Sequence, residues 1–221
     1  EGYVGEVLSC HVTTMRDGAL ERPSGRNWNL DASQGANTLT IANGHVIDAL
    51  RMVVGDFEKV ACMVTTQISP IYESDTQQLV EPTSPDNVRV SGQLKRGAAA
   101  SVHVGAVPWA GSGFRMEIFG REGTLITTGS VSSQRGEMLR VQGAQKTQEL
   151  QDLTIPGRFV YVPDDFPQGD PFNVGQMYAL FAEAIRTGKN RLPTFDDAVN
   201  LHRFLDTIQK ASDTGQEQTV D

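Results

Sequence analysis

The sequence predicts an α+β fold: a mostly antiparallel open sheet with helices packed on one face and the other face left for dimerisation. The first observation is the order of elements, which runs strand, long loop, helix, a string of strands, then two helices. The second is that no GxGxxG turn follows the first strand, so a doubly wound dinucleotide fold is excluded for this chain. The third is apolar character at both parities. Val60, Ala61, Cys62, Met63 and Val64 run together, and Val102, Val104, Ala106 and Val107 crowd a second strand, whereas a solvated sheet face alternates cleanly. A face-to-face, two-fold homodimer burying more than about 2,000 Å² is the expected consequence.

Residues 4–15 read as a strand rich in Val and Thr. The Gly, Pro, Asn and Asp of 16–37 make a long loop, of the kind that is functional or disordered, and Trp28 within it argues for order. From 38 to 54 the recurrence of Leu39, Ala42, Val46, Leu50 and Val53 predicts a helix of about 25 Å, with Gly55 placed for a left-handed cap. Strands follow at 57–68, 87–96 and 98–107, separated by a proline-bearing loop (69–86) and by Gly97. Segments 114–120 and 123–129 form a hairpin, and weaker strands lie at 137–142 and 147–153. A helix at 173–187 carries the stripe Val174, Met177, Phe181 and Ala184/Ile185, ended by Gly188. A second, at 195–211, carries Ala198, Leu201, Leu205 and Ile208, with Thr194 and Asp197 in a capping-box arrangement.

The net charge of -8 disfavours nucleic acid and anionic membranes as partners. No apolar run reaches the roughly 20 residues a bilayer span needs, and no signal-peptide pattern opens the sequence, so a cytoplasmic location is expected. Cys10 and Cys62 are read as reduced thiols, and the lack of CxxC, HExxH or clustered Cys/His excludes a structural metal. His11 and His103 fall in strand patterns and His202 on a helix, where surface or packing roles are usual.

Four stretches, in order, resemble the carboxy-terminal domain of the glucose–fructose oxidoreductase / inositol dehydrogenase / rhizopine catabolism (Gfo/Idh/MocA) family. They are "GYVGEV" (2–7), "NWNLDASQGANTLTIANGHVIDAL" (27–50), "MEIFGREGTLI" (116–126) and "PTFDDAVNLHRFLDTIQKAS" (193–212). The second and fourth are closer to the branch containing the fungal galactose-regulon repressor and its bacterial oxidoreductase relatives. The resemblance implies that residues 1–212 are a substrate-binding and oligomerisation domain, while the composition of 213–221, "DTGQEQTVD", is that of a disordered polar tail. The resemblance also implies that NAD or NADP is held mainly by an amino-terminal Rossmann domain outside this sequence, and that members pair through the open sheet face. It further implies a hydride transfer between NAD(P) and a sugar or cyclitol hydroxyl. The alternative from the same branch is a non-catalytic, dinucleotide-responsive domain that binds protein.

Mapped onto this sequence, the resemblance makes His45 the catalytic acid/base, since the hydroxyl proton must leave as the hydride does. The family places an Asp four residues earlier, on the same helix face; that position is Ile41 here, and the Arg after the tryptophan is Asn29. Trp28, Asn29 and Asp31 are expected to wall the substrate side, the indole stacking on a sugar face, with Thr38 and Asn43 adding hydrogen bonds. Read without the resemblance, His45 is a helix histidine bonded to Asp48 or a backbone carbonyl, and Trp28 an aromatic plug among turn formers. Arg51 and Asp48 are a solvated or ion-paired helix face.

Overall fold

A computed structural model describes residues 2–129, 139–167 and 169–220. In chain order the elements are β1 (Val7–Arg16), β2 (Glu21–Arg22), α1 (Gly44–Val54), β3 (Phe57–Thr65), β4 (Ile71–Glu73), β5 (Gln78–Val80), β6 (Asn87–Leu94), β7 (Ala99–Ala106), β8 (Gly113–Gly120), β9 (Gly123–Gly129), β10 (Arg140–Gln145), β11 (Gln151–Asp152), α2 (Asp170–Thr187), α3 (Phe195–Thr214) and β12 (Gln218–Thr219). Among the described residues one nine-stranded sheet runs β11-β10-β9-β8-β1-β7-β6-β3-β12, and β2-β4-β5 form a small second sheet. Within the large sheet β1 and β7 pair in parallel and the other neighbours are antiparallel. The fold is α+β, as the sequence predicts.

The core lies on one face of that sheet. Cys10, Ala100, Gly92 and Val60 make one cross-strand row, and Val12, Val102, Val90 and Cys62 the next. Val46, Ile47 and Leu50 of α1 and Phe204, Leu205 and Ile208 of α3 cover these rows. Phe57 and Phe204 stack with ring centroids 5.2 Å apart. Ser212 Oγ accepts the Val64 amide at 2.9 Å, which fixes the far end of α3 to β3. Thr194 and Asp197 do form a capping box at the start of α3, and the Thr194 hydrogen bonds hold the Asp197 carboxyl below its usual range.

Two glycines show why the sequence takes these turns. A Cβ on Gly120 would stand 2.1 Å from the Val4 carbonyl oxygen, because residues 4–6 lie against the β8–β9 turn and accept the Arg121 and Glu122 amides at 2.9 Å each. Gly55 closes α1 at φ 94° and ψ −179°, an extended positive-φ conformation open only to glycine rather than the left-handed cap the sequence suggests.

Several expectations need correcting. The first helix begins with a π-helical turn, Thr38–Asn43, capped by Asn37, before α1 proper. Residues 71–73 and 78–80 form β4 and β5 inside the expected loop. The strand expected at 137–142 lies partly outside the described residues; the pairing seen is 140–145. The stripe on α2 is not buried within this chain: Val174, Met177, Phe181 and Ile185 are exposed, because α1 and α3 already fill the covered face. The polar stretch 213–220 is ordered. It finishes α3, turns at Gly215 and adds β12 to the edge of β3, whose Glu58 carbonyl accepts the Val220 amide at 2.8 Å. That edge carries unpaired backbone groups, which outweigh the polar composition.

Cys10 and Cys62 are free, and β7 and β6 stand between their strands. Burial pushes the two thiols up to about 11 and about 12, so neither is a reactive thiolate at neutral pH. No helix among the described residues is long and apolar enough to cross a membrane, and no group of three or more His, Cys, Asp or Glu side chains there could hold a metal ion.

Candidate functional site

At the end of β1 the chain leaves the sheet and wraps a cleft of about 870 Å³ before re-entering at α1. The wrap is held from outside. Leu20 and Arg22 carbonyls accept the Tyr72 and Ser74 amides at 2.9 and 3.1 Å, and Leu30 accepts the Thr83 and Ser84 amides at 2.9 and 3.0 Å. Ala19, Leu30, Ile68 and Ile71 form a small second core beneath it. The loop is therefore ordered, but Leu30 fastens it rather than Trp28, whose side chain is 57% exposed at the cleft.

The π-helical turn sets the opposite wall. Asn37 Oδ1 accepts the Leu39 and Thr40 amides at 2.9 and 3.2 Å, and Thr40 Oγ1 accepts the Asn37 amide at 3.0 Å. This turn and the first residues of α1 bring Thr38, Ile41, Ala42 and His45 to the cleft. Ile41 and His45, four residues apart, share that wall, so the residue at the position of the family carboxylate does face the same space as the imidazole. His45 itself is exposed, and no hydrogen bond among the described residues uses its ring.

Of the residues singled out in the sequence, Trp28, Asn29, Thr38 and His45 meet on the cleft. Thr38 Oγ1 accepts from Arg16 Nη2 at 3.0 Å and Asn29 Oδ1 from Arg22 Nη1 at 2.9 Å. Asp31 lies outside it: its carboxylate accepts the Ser33 amide at 2.9 Å and the Gln34 side chain at 3.2 Å. Those bonds, from Ser33 first, hold its carboxyl below the usual range. Asn43 is 0% exposed beneath the helix and off the cleft, and neither of its side-chain polar atoms finds a partner among the described residues. Arg51 pairs with Asp56 at 2.7 Å rather than with Asp48.

Sequence reasoning passed over three arginines. Arg16, Arg22 and Arg26 all line the cleft, spaced through "RDGALERPSGR" (16–26). Thr14 and Ser84 line it as well, with hydroxyls that have no hydrogen-bond partner among the described residues. A space of this size, with an aromatic face, an imidazole and several polar groups, suits a small polyhydroxylated ligand.

The described residues do not suit a dinucleotide pyrophosphate, which needs free backbone amides at a helix amino end behind a glycine-rich turn. At α3 the capping box takes the Asp197 amide and sets the Asp197 carboxylate against the helix start, where it would repel a phosphate. The turn ahead of α1 has its first amides bonded to Asn37, and α2 starts on a single Gly169 with Pro171, which lacks an amide hydrogen, in its first turn.

Comparison with known proteins agrees with this architecture. The family profile of the Gal80p C-terminal domain matches residues 1–129. An uncharacterized oxidoreductase of Synechocystis sp. is 22% identical over 212 residues, covering 96% of this chain and 57% of that protein. Gal80p of Kluyveromyces lactis, a transcriptional regulator, superposes with a TM-score of 0.80 at 20% identity, over 100% of this chain and 55% of its own. A levoglucosan dehydrogenase in complex with NADH and levoglucosan gives 0.80 at 21% identity, over 100% and 60%. The chain thus spans a little over half the length of the relatives it matches.

Proposed function

The chain belongs to the Gal80p C-terminal domain family, and from that premise we propose that it is the substrate-binding and dimerisation domain of an NAD(P)-dependent oxidoreductase acting on a sugar or cyclitol hydroxyl. The observation that carries this reading is the convergence of His45, Trp28 and Thr38 on one cleft. The dinucleotide is assigned to the part of the protein outside this chain, and a nicotinamide bound there supplies the hydride acceptor. This chain's own task is to hold the sugar against Trp28, direct its hydroxyls to Thr38, Thr14 and Ser84, and take the reacting hydroxyl's proton on a ring nitrogen of His45. The protein is read as cytoplasmic and as a homodimer joined through the open sheet face.

A second reading is favoured by one residue. Ile41 supplies no carboxylate to orient or charge-assist the imidazole, which fits a non-catalytic, dinucleotide-responsive regulator that binds protein. Sugar-dependent NAD(P)H formation by the full-length protein separates the two. Under the enzyme reading, His45→Asn lowers turnover by roughly 10²–10⁴-fold, the usual contribution of a general acid/base. Absence of turnover across neutral and acidic sugars, with cofactor still bound, transfers the assignment to the regulator.

A further inference from the structure

The cleft lining carries three arginines, Arg16, Arg22 and Arg26, beside three carboxylates, Asp17, Glu21 and Asp86, yet none of those carboxylates is paired to Arg22 or Arg26. Arg22 is partly withdrawn from water, and burial first, then the neighbouring charge of Arg26, pushes its guanidinium pKa down. Its Nη1 donates to Asn29 Oδ1 at 2.9 Å and to the Arg26 carbonyl at 3.4 Å, which fixes the plane of the fork. Its Nε and Nη2 make no hydrogen bond among the described residues. The Arg26 guanidinium makes none either.

The nearby carboxylates are turned elsewhere. Asp86 accepts the Gln67 and Ile68 amides at 3.0 and 2.6 Å. Glu73 is taken by Asn27 and Thr76, and Asp75 by Ser24. Asp17 and Glu21 are exposed at the cleft but form no ion pair with either arginine, and no ion pair among the described residues uses Arg22 or Arg26. Two adjacent guanidiniums, one partly desolvated, repel each other, and no ion pair among the described residues offsets that repulsion. In a chain of net charge -8, carboxylates to quench them were available. A planar fork with open donors is the side chain best matched to an oxyanion, which it binds through two parallel hydrogen bonds.

We propose that the cleft takes an acidic sugar, with a carboxylate or phosphate group seated on Arg22 and Arg26 and the reacting hydroxyl at the His45 end. This rests on the reading of the cleft as a polyol site and adds the substrate's charge to it. The test is kinetic, on the full-length protein, with glucuronate and glucose 6-phosphate against glucose as neutral comparator. The acid that fits shows a kcat/KM above glucose by roughly 10–100-fold, the size of a hydrogen bond to a charged group. Arg26→Gln, which removes no hydrogen bond of the fold, and Arg22→Gln each lower the ratio of acid to neutral kcat/KM by a similar factor, through KM. Which of the two acids responds identifies the carboxylate or the phosphate.

A ratio that stays at its wild-type value in both variants, while His45→Asn still lowers turnover by roughly 10²–10⁴-fold, overturns the anion site and leaves the oxidoreductase reading standing. Should no sugar be turned over, ligand-observed NMR of the 221-residue chain with the same acids decides. Binding lost in Arg26→Gln keeps the anion site while the enzyme reading falls, and no binding of either acid overturns the site.

Discussion

The two faces of the large sheet are made from alternate residues of the same strands, yet they have opposite chemistry. On the covered face Cys10, Val12, Val88, Val90, Val102 and Val104 are all buried under α1 and α3. On the other face, the row Arg115, Thr13, His103, Arg89 and Met63 crosses the sheet, next to the row Glu117, His11, Ser101, Ser91 and Ala61. This second face has polar contacts of its own, with His11 held between Ser101 Oγ at 2.8 Å and Ser9 Oγ at 3.0 Å, and a shallow groove of about 400 Å³ along its middle. The difference teaches that burial here comes from the covering helices, not from strand composition alone. It also narrows the sequence argument for a dimer. Val102, Val104 and Ala106 of β7 share one parity, whereas β3 carries apolar residues at both and exposes Ala61 and Met63 on the open face.

The comparison breaks most sharply on single truncations. Ile208→Ala, beneath α3 at 0% exposure, is expected to cost about 2–5 kcal/mol, as for other buried Ile and Leu truncations. Met63→Ala, 43% exposed on the open face, is expected within about 0.5 kcal/mol in the monomer. Urea denaturation of both variants checks this, and comparable losses would mean the open face is part of the folding core. A cap on the covering helix has an intermediate effect: Thr194→Ala removes the α3 box and should cost ~1 kcal/mol.

The open face is then tested as an interface. Met63→Glu with Ala61→Glu places like charges opposite their copies across a two-fold axis, and should convert a dimer, at twice the chain mass of 24.0 kDa, into monomer. Light scattering at low micromolar concentration reads the mass. A wild-type chain already near 24.0 kDa overturns the dimer.

These contrasts also explain what was legible in the sequence. Element order, the β8–β9 hairpin and the Thr194–Asp197 box are local, set by turn chemistry and periodicity, and they are where the sequence places them. Burial is not local. The stripes of α2 and α3 look alike in sequence, but only α3 meets the sheet, so Ile208 is buried and Phe181 exposed. The cleft was half legible. His45, Trp28, Asn29 and Thr38 came from resemblance to a motif, and the motif carries Asn43 and Asp31 too, which the fold turns away. Arg16, Arg22 and Arg26 belong to no motif; only the return of the loop over β1 gathers them. The "GYVGEV" and "MEIFGREG" stretches prove to be each other's packing partners at Gly120, so their similarity to the family reports fold rather than chemistry.

The smallest effect expected is a pH dependence that belongs to the open face alone. His103 Nε2 donates to Asn87 Oδ1 at 2.7 Å, and burial first, then the Arg89 charge across the strand pair, push its pKa below the usual 6.5. The groups facing it on this surface are Thr13 on β1 and Arg89 on β6. Beyond Thr13 lies Arg115, whose charge is paired with Glu117 at 2.8 Å, and His11 is in the adjoining row. Among the described residues no carboxylate shifts the ring toward its protonated form. With the folded pKa depressed, the unfolded chain binds the extra proton first as pH falls below 6.5, so folding stability is fully present above that value. It declines as pH drops through the folded-state pKa. His103→Gln keeps a donor for Asn87 but cannot titrate, and should remove this part of the acid destabilisation while leaving the neutral-pH midpoint nearly unchanged. Urea midpoints of both proteins between pH 7.5 and about 5 make the measurement. Parallel curves would assign the acid sensitivity to other groups, and a wild type that gains stability on acidification would mean that the ring has an anionic partner on this face, such as one brought by a second copy of the chain.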